Sequence, residues 1–149
     1  MTQTTNHFRP HSITFWVDTE TIAPITKYGQ DHDLPFGTVA RIVISGVIGN
    51  EDLQNLAIEQ ATTARRMSLR KMCGAMLDDE TLQTIDSLGR QNGVKRAAVV
   101  RAALVVGSKH LPAFSSALET ERVARRAAHE RGRERMIKMV TRFQGEVAA

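Results

Sequence analysis

The chain has 149 residues, 42% hydrophobic but only 5% aromatic, with a formal net charge of +4 and a pI of about 9.7. That length suits one compact domain or two very small ones, with an aliphatic core carried mainly on helices. No apolar run is long enough to span a membrane, residues 1–11 lack the apolar stretch of a secretory signal, and a single cysteine, Cys73, excludes an internal disulfide framework and fits a reducing cytoplasm.

In chain order, residues 1–11 are expected to form a flexible arm. From Ser12 to Val17 the sequence alternates, with Ile13, Phe15 and Val17 on one face and Ser12, Thr14 and Trp16 on the other. Period two with β-branched and aromatic residues predicts a strand. Asp18 then ends the strand and caps a helix, and Glu20 suits the positive end of the helix dipole. Ile22, Ile25, Tyr28 and Gly29 mark that helix's inner stripe. Pro24 fits only a first turn, so the helix is expected to start late or to bend. Asp31-His32-Asp33 makes a turn without glycine. The segment from Val39 to Val47 is a second, far more apolar helix, and residues 12–49 form one unit.

Residues 50–69 read as a helical connector. Asn50 caps a helix running from Glu51 to about Met67, with a modest stripe of Leu53, Leu56, Ala57, Gln60, Ala61 and Ala64. Arg65 and Arg66 fall at its C-terminal end, where the dipole favours cations. Residues 70–109 form a second unit: a strand to Leu77, a cap at Asp78, a stripe of Leu82, Ile85, Leu88 and Gly89, and Gly93 as a left-handed helix stop. A helix follows in which Ala97–Val106 carries one charge in ten residues. A helix apolar all round must be covered on most sides, which two such units packed together achieve. Residues 110–149 are a basic tail. A long helix from Ala113 to Phe143 is expected there, broken or weakened at Gly132, with Met136, Met139, Val140 and Phe143 on one face.

The two units repeat at an offset of sixty. Asp18, Glu20, Thr21, Ile25, Gly29, Val39 and Arg41 fall on Asp78, Glu80, Thr81, Ile85, Gly89, Val99 and Arg101. Val17, Ile22, Leu34 and Ile44 fall on Leu77, Leu82, Val94 and Leu104. Self-similarity at one fixed offset indicates duplication of a supersecondary unit. Positive charge is concentrated outside the first unit. Residues 12–48 hold two basic and four acidic side chains, whereas residues 61–71 hold Arg65, Arg66, Arg70 and Lys71 with no acid, and residues 110–149 hold eight basic against five acidic.

A strand, a capped helix, a glycine-containing turn and a buried helix within about 40 residues resemble the ribbon-helix-helix superfamily of the Arc, MetJ and CopG type. Met76-Leu77-Asp78-Asp79-Glu80-Thr81-Leu82 and Gly93-Val94-Lys95-Arg96, leading into the Val99–Leu104 helix, carry the resemblance. The second unit matches well and the first more loosely. Two units in one chain look similar to relaxosome accessory DNA-binding proteins of conjugative plasmids. The fold this implies is mainly α: a tandem ribbon-helix-helix forming an intramolecular pseudo-dimer around one two-stranded antiparallel ribbon, with a connector helix and a long C-terminal helix. The implied function is sequence-specific DNA binding, as a transcriptional regulator or plasmid-transfer accessory factor, with double-stranded DNA as partner.

In that family the ribbon enters the major groove and its outward side chains read base edges. Those positions here are Ser12, Thr14 and Trp16, then Arg70, Met72, Gly74 and Met76. The N-terminus of the second helix holds phosphate. The matching places are Lys95 and Arg96 in the second unit and Phe36 and Gly37 in the first, with Arg65, Arg66 and Lys71 as further phosphate contacts. Only Ser12, Thr14 and Arg70 suit hydrogen bonds to bases. If Thr14 faces Gly74, Trp16 lies opposite Met72 and the ribbon shows an apolar patch. Three readings of that patch stay open: contact with thymine methyls, a protein-binding face, or a shifted strand boundary with Trp16 partly covered by the arm or tail. The alternative function is a protein-interaction module, antitoxin-like or adaptor, using the ribbon face or the C-terminal helix to bind a partner or a second copy. No phosphate-binding glycine loop is found, and His7, His11, His32, His110 and His129 show no metal-ligand spacing with Cys73. Capping explains Asp78-Asp79-Glu80 more simply than a metal cluster. No catalytic residue, metal ligand or cofactor site is nominated.

Overall fold

In a computed structural model, residues 10–63 and 69–148 are described, with side chains through residue 146. They comprise strands β1 (His11–Asp18) and β2 (Arg70–Leu77) and helices α1 (Thr19–Asp31), α2 (Phe36–Ile48), α3 (Glu51–Thr63), α4 (Asp79–Asn92), α5 (Arg96–Ser108) and α6 (Ser115–Ala148). The expected arm falls almost wholly outside the described residues, as do Arg65 and Arg66. The chain divides into two compact units, one ending at Ser115 and one beginning at Ser116.

β1 and β2 pair antiparallel as the whole of one two-stranded sheet. Thr14 faces Gly74 and Trp16 faces Met72, the register that the alternation anticipates. Phe15, Val17, Ala75 and Leu77 are buried beneath the ribbon, and Ser12, Thr14, Trp16, Met72, Gly74 and Met76 are exposed above it. A strand reverses faces at every residue, so this parity fixes which side chains the helices cover.

The sixty-residue repeat is matched in local chemistry. Asp18 accepts the Thr21 amide at 3.2 Å, and Asp78 accepts the Thr81 amide at 2.8 Å, so both first helices start on the same cap. Gly93 closes α4 at φ 66°, and Asp33, its counterpart sixty residues earlier, closes the first unit's turn at φ 57°. Aspartate tolerates the left-handed region better than most residues, so the first unit makes the same turn without glycine. The turns return to equivalent carbonyls: the Leu34 amide donates to Gly29 at 2.8 Å and the Val94 amide to Gly89 at 2.9 Å. A Cβ on Gly29 would lie 2.5 Å from the Leu34 carbonyl oxygen, and one on Gly89 2.6 Å from that of Val94.

Four expectations are corrected. α1 does not start late: it begins at Thr19 and runs through Pro24, because the Asp18 cap, which also accepts the Thr21 hydroxyl at 2.7 Å, sets its start. In α3, Asn50 caps by accepting the Leu53 amide at 3.1 Å, but of the stripe's described residues only Leu53 and Ala57 are buried, Gln60 and Ala61 are half-buried and Leu56 is 42% exposed; Ala64 and the expected end near Met67 lie outside the described residues. The connector packs on α5 and α2 through these buried residues, and the Gln54 side chain donates to the Ile48 carbonyl at 2.9 Å. The last helix starts at Ser115, after a 3₁₀ turn over Leu111–Phe114 that buries Phe114 against Gly46. It also continues through Gly132. One glycine weakens a helix by only about 1 kcal/mol relative to alanine, and good helix formers surround this one.

The core is built on α2 and α5, where Val39, Val43, Ile44, Val47, Val99, Val100 and Leu104 are fully buried. Each such side chain contributes about 1.5–3 kcal/mol by leaving water. The two helices meet at Gly107, where a Cβ would come within 2.0 Å of a Val43 methyl carbon and 3.2 Å of one on Val47. The expected packing of Ala97–Val106 on Val39–Val47 within one chain is therefore what the structure contains. Gly107→Ala should destabilise the protein by about 1–3 kcal/mol through overpacking, measured as a lowered urea midpoint at unchanged slope. Val99→Asp should cost several kcal/mol by burying an unpaired charge.

Candidate functional site

The outward ribbon face is the surface that the helices leave uncovered. Trp16, Met72 and Met76 are 41%, 52% and 43% exposed, the largest apolar group on either strand. The Arg70 guanidinium lies 5.3 Å from the centroid of the Trp16 ring, a cation–π distance. Both strands keep the anticipated bounds to within one residue, so the shifted boundary is overturned: Trp16 is outward because its parity puts it there, and Arg70 stacks on it.

The rim of the ribbon is held by the second helices. The Arg101 guanidinium donates to the Trp16 carbonyl at 2.6 Å, which satisfies an edge group of β1. Its counterpart Arg41 lines a shallow hollow of about 280 Å³ with Ser12, Gly37, Thr38, Gly74 and Met76. The start of α2 lies close to β2 at Gly37, where a Cβ would make an ordinary contact, 3.7 Å from the Gly74 carbonyl oxygen. In the sequence, only the Arg41/Arg101 identity hinted at this edge role.

The start of α2 at Pro35 and the start of α5 at Lys95 carry no side-chain cap. Uncapped helix starts present backbone amides and a positive dipole end. Lys95 is exposed at one of them. Arg96 is engaged elsewhere: its Nε and Nη2 atoms donate to the two carboxylate oxygens of Asp86, at 2.8 and 2.6 Å. That fork holds the Asp86 carboxyl below its ordinary value and raises the Arg96 guanidinium further. Spacing alone could not find a pair ten residues apart across a turn. Lys71 is exposed but shares the parity of Cys73 and Ala75, so it stands at the ribbon's end rather than on its outward face. Burial pushes the Cys73 thiol up, partly offset by the neighbouring Lys71 charge. At the opposite end, His11 pairs with Asp79.

Among the described residues no group of three or more His, Cys, Asp or Glu side chains is placed to hold a metal ion, and no single helix is long and apolar enough to cross a membrane. The compact unit that begins at Ser116 is a single helix, part of α6, on which Met136, Met139, Val140 and Phe143 are exposed. Comparison with protein-family models, with curated proteins and with solved structures returns no match.

The Asp86–Arg96 pair generates a pH prediction. Asp86 titrates below its ordinary value in the folded chain, so its contribution is complete above the unfolded-state value and is lost as pH falls through the folded one. Both side chains are partly exposed, at 30% and 49%, so Asp86→Asn should lower stability at neutral pH by less than about 1 kcal/mol. The difference from the parent should vanish in acid, as read by urea unfolding at two pH values.

Proposed function

We propose that the chain is a tandem ribbon-helix-helix protein, one polypeptide forming the whole pseudo-dimer, that binds double-stranded DNA sequence-specifically with its ribbon in the major groove. The observation that carries this reading is the ribbon itself. Two antiparallel strands project one fully solvent-facing row from a helical layer that covers only their other face. A two-stranded ribbon is one of the few elements that the major groove, about 12 Å wide, admits. The uncapped starts of α2 and α5 supply amides and dipole for the flanking phosphates, and Lys95 adds charge at one of them. Thr14, Ser12 and Arg70 supply the polar contacts to bases. Arg96, being paired with Asp86, contributes less to phosphate binding than Lys95 unless DNA displaces the carboxylate. Such a protein acts in the cytoplasm as a transcriptional regulator or a DNA-transfer accessory factor.

A second reading rests on a different observation. Trp16, Met72 and Met76 make an exposed apolar row that a partner protein would cover, and the apolar face of α6 offers a further contact. Under that reading the chain is an interaction module, antitoxin-like or adaptor.

Mobility-shift titrations at two salt concentrations separate the two. Lys95→Ala should weaken binding to all sequences alike and lower the salt slope by about one. Thr14→Ala should instead cost about 1–3 kcal/mol at the specific site and relax its sequence preference. Trp16→Ala should weaken specific binding with little change in salt dependence. No DNA binding at low salt by the folded, full-length chain would refute the first reading and leave the second.

A further inference from the structure

The halves of the ribbon are equivalent in position but not in chemistry. Thr14 and Gly74, sixty residues apart, face each other at the centre of the pairing. Moving outward from that pair, Ser12 corresponds to Met72 and Trp16 to Met76. The counterpart of Arg70 is Pro10, which precedes β1. One end of the outward face therefore presents Trp16, Met72 and Arg70, and the other presents Ser12 and Met76. The centre sets a threonine against bare backbone. No polar outward side chain has a polar counterpart.

A homodimeric ribbon shows every side chain twice about a two-fold axis, so its operator mirrors that symmetry. Here the only guanidinium carried at an outward strand position, among the described residues, sits at one end, Arg41 lying at the rim beside Ser12 and Met76. Arginine takes guanine O6 and N7 with two parallel hydrogen bonds. The Trp16 ring beneath Arg70, at 5.3 Å, restricts the fork in advance and reduces the freedom it loses on binding. At the other end Met76 offers no hydrogen bond, but it gives the apolar contact that a thymine methyl accepts. We infer that the ribbon reads a DNA site without two-fold symmetry, in which one arm carries a guanine taken by Arg70 and the other is read through contact of Met76 with a thymine methyl. This rests on the DNA-binding reading above.

The test is selection of the full-length chain on a random-sequence duplex library, followed by titration of the selected site. The enriched motif should be non-palindromic. Duplexes rebuilt from two copies of either arm should each bind about tenfold more weakly than the selected site. Arg70→Lys keeps the charge and loses the fork, so it should lower the preference for guanine about tenfold at one position of one arm and leave the other arm unchanged. A palindromic motif, a doubled arm that binds as tightly as the selected site, or loss of preference in both arms would overturn the inference while leaving DNA binding in place. No enrichment of any sequence would overturn the DNA-binding reading and this inference with it.

Discussion

Two helices that no water-facing position suits are the constraint from which the architecture follows. α2 and α5 bury seven residues each, on more than one side. Neither hides that surface within its own strand-helix-helix stretch: each is covered by the other unit and by the connector helix α3. Their approach requires Gly107, because the space where its side chain would stand is taken by Val43 and Val47. Once the helices meet, the strands preceding them come side by side. The Thr14–Gly74 register then follows from which residues must point inward: Phe15, Val17, Ala75 and Leu77 find the core only in that phase.

Joining both units in one chain changes what the ribbon is free to do. In a homodimer a substitution on the outward face appears twice. Here each position varies alone, so Gly74 stands opposite Thr14 and Met76 takes the place of Trp16. The helical layer beneath retains matched features, including the Asp18 and Asp78 caps and the paired glycines at 29 and 89. Packing places the same demand on the covered face of both units. The uncovered face carries no such constraint, and it is there that the two units differ.

Much of this was legible in the sequence because it is local. Strand parity, the aspartate caps, the Gly93 stop and the sixty-residue offset each depend on neighbours a few positions away. The features that were not legible depend on distance in space. The Arg96–Asp86 fork and the Arg101 contact to the Trp16 carbonyl join residues whose proximity exists only after folding. Other readings failed where a local rule was outweighed. Pro24 is tolerated because a strong cap holds the turn before it, and Gly132 because one weak position does not end a 34-residue helix. The turn without glycine at Asp31-His32-Asp33 did form as expected, because aspartate enters the left-handed region at modest cost.

The central claim is that one polypeptide closes the ribbon on itself, with Thr14 against Gly74. Opposed Cα atoms in an antiparallel pair lie about 4.5–5.5 Å apart, within the span of a disulfide. The direct measurement is oxidation of the double variant Thr14→Cys, Gly74→Cys, in a Cys73→Ser background and at submicromolar concentration, followed by non-reducing mass analysis. The account predicts a single bond within one chain, at monomer mass, with helix content unchanged. A disulfide-linked dimer, or two thiols that stay free under oxidation, would contradict it.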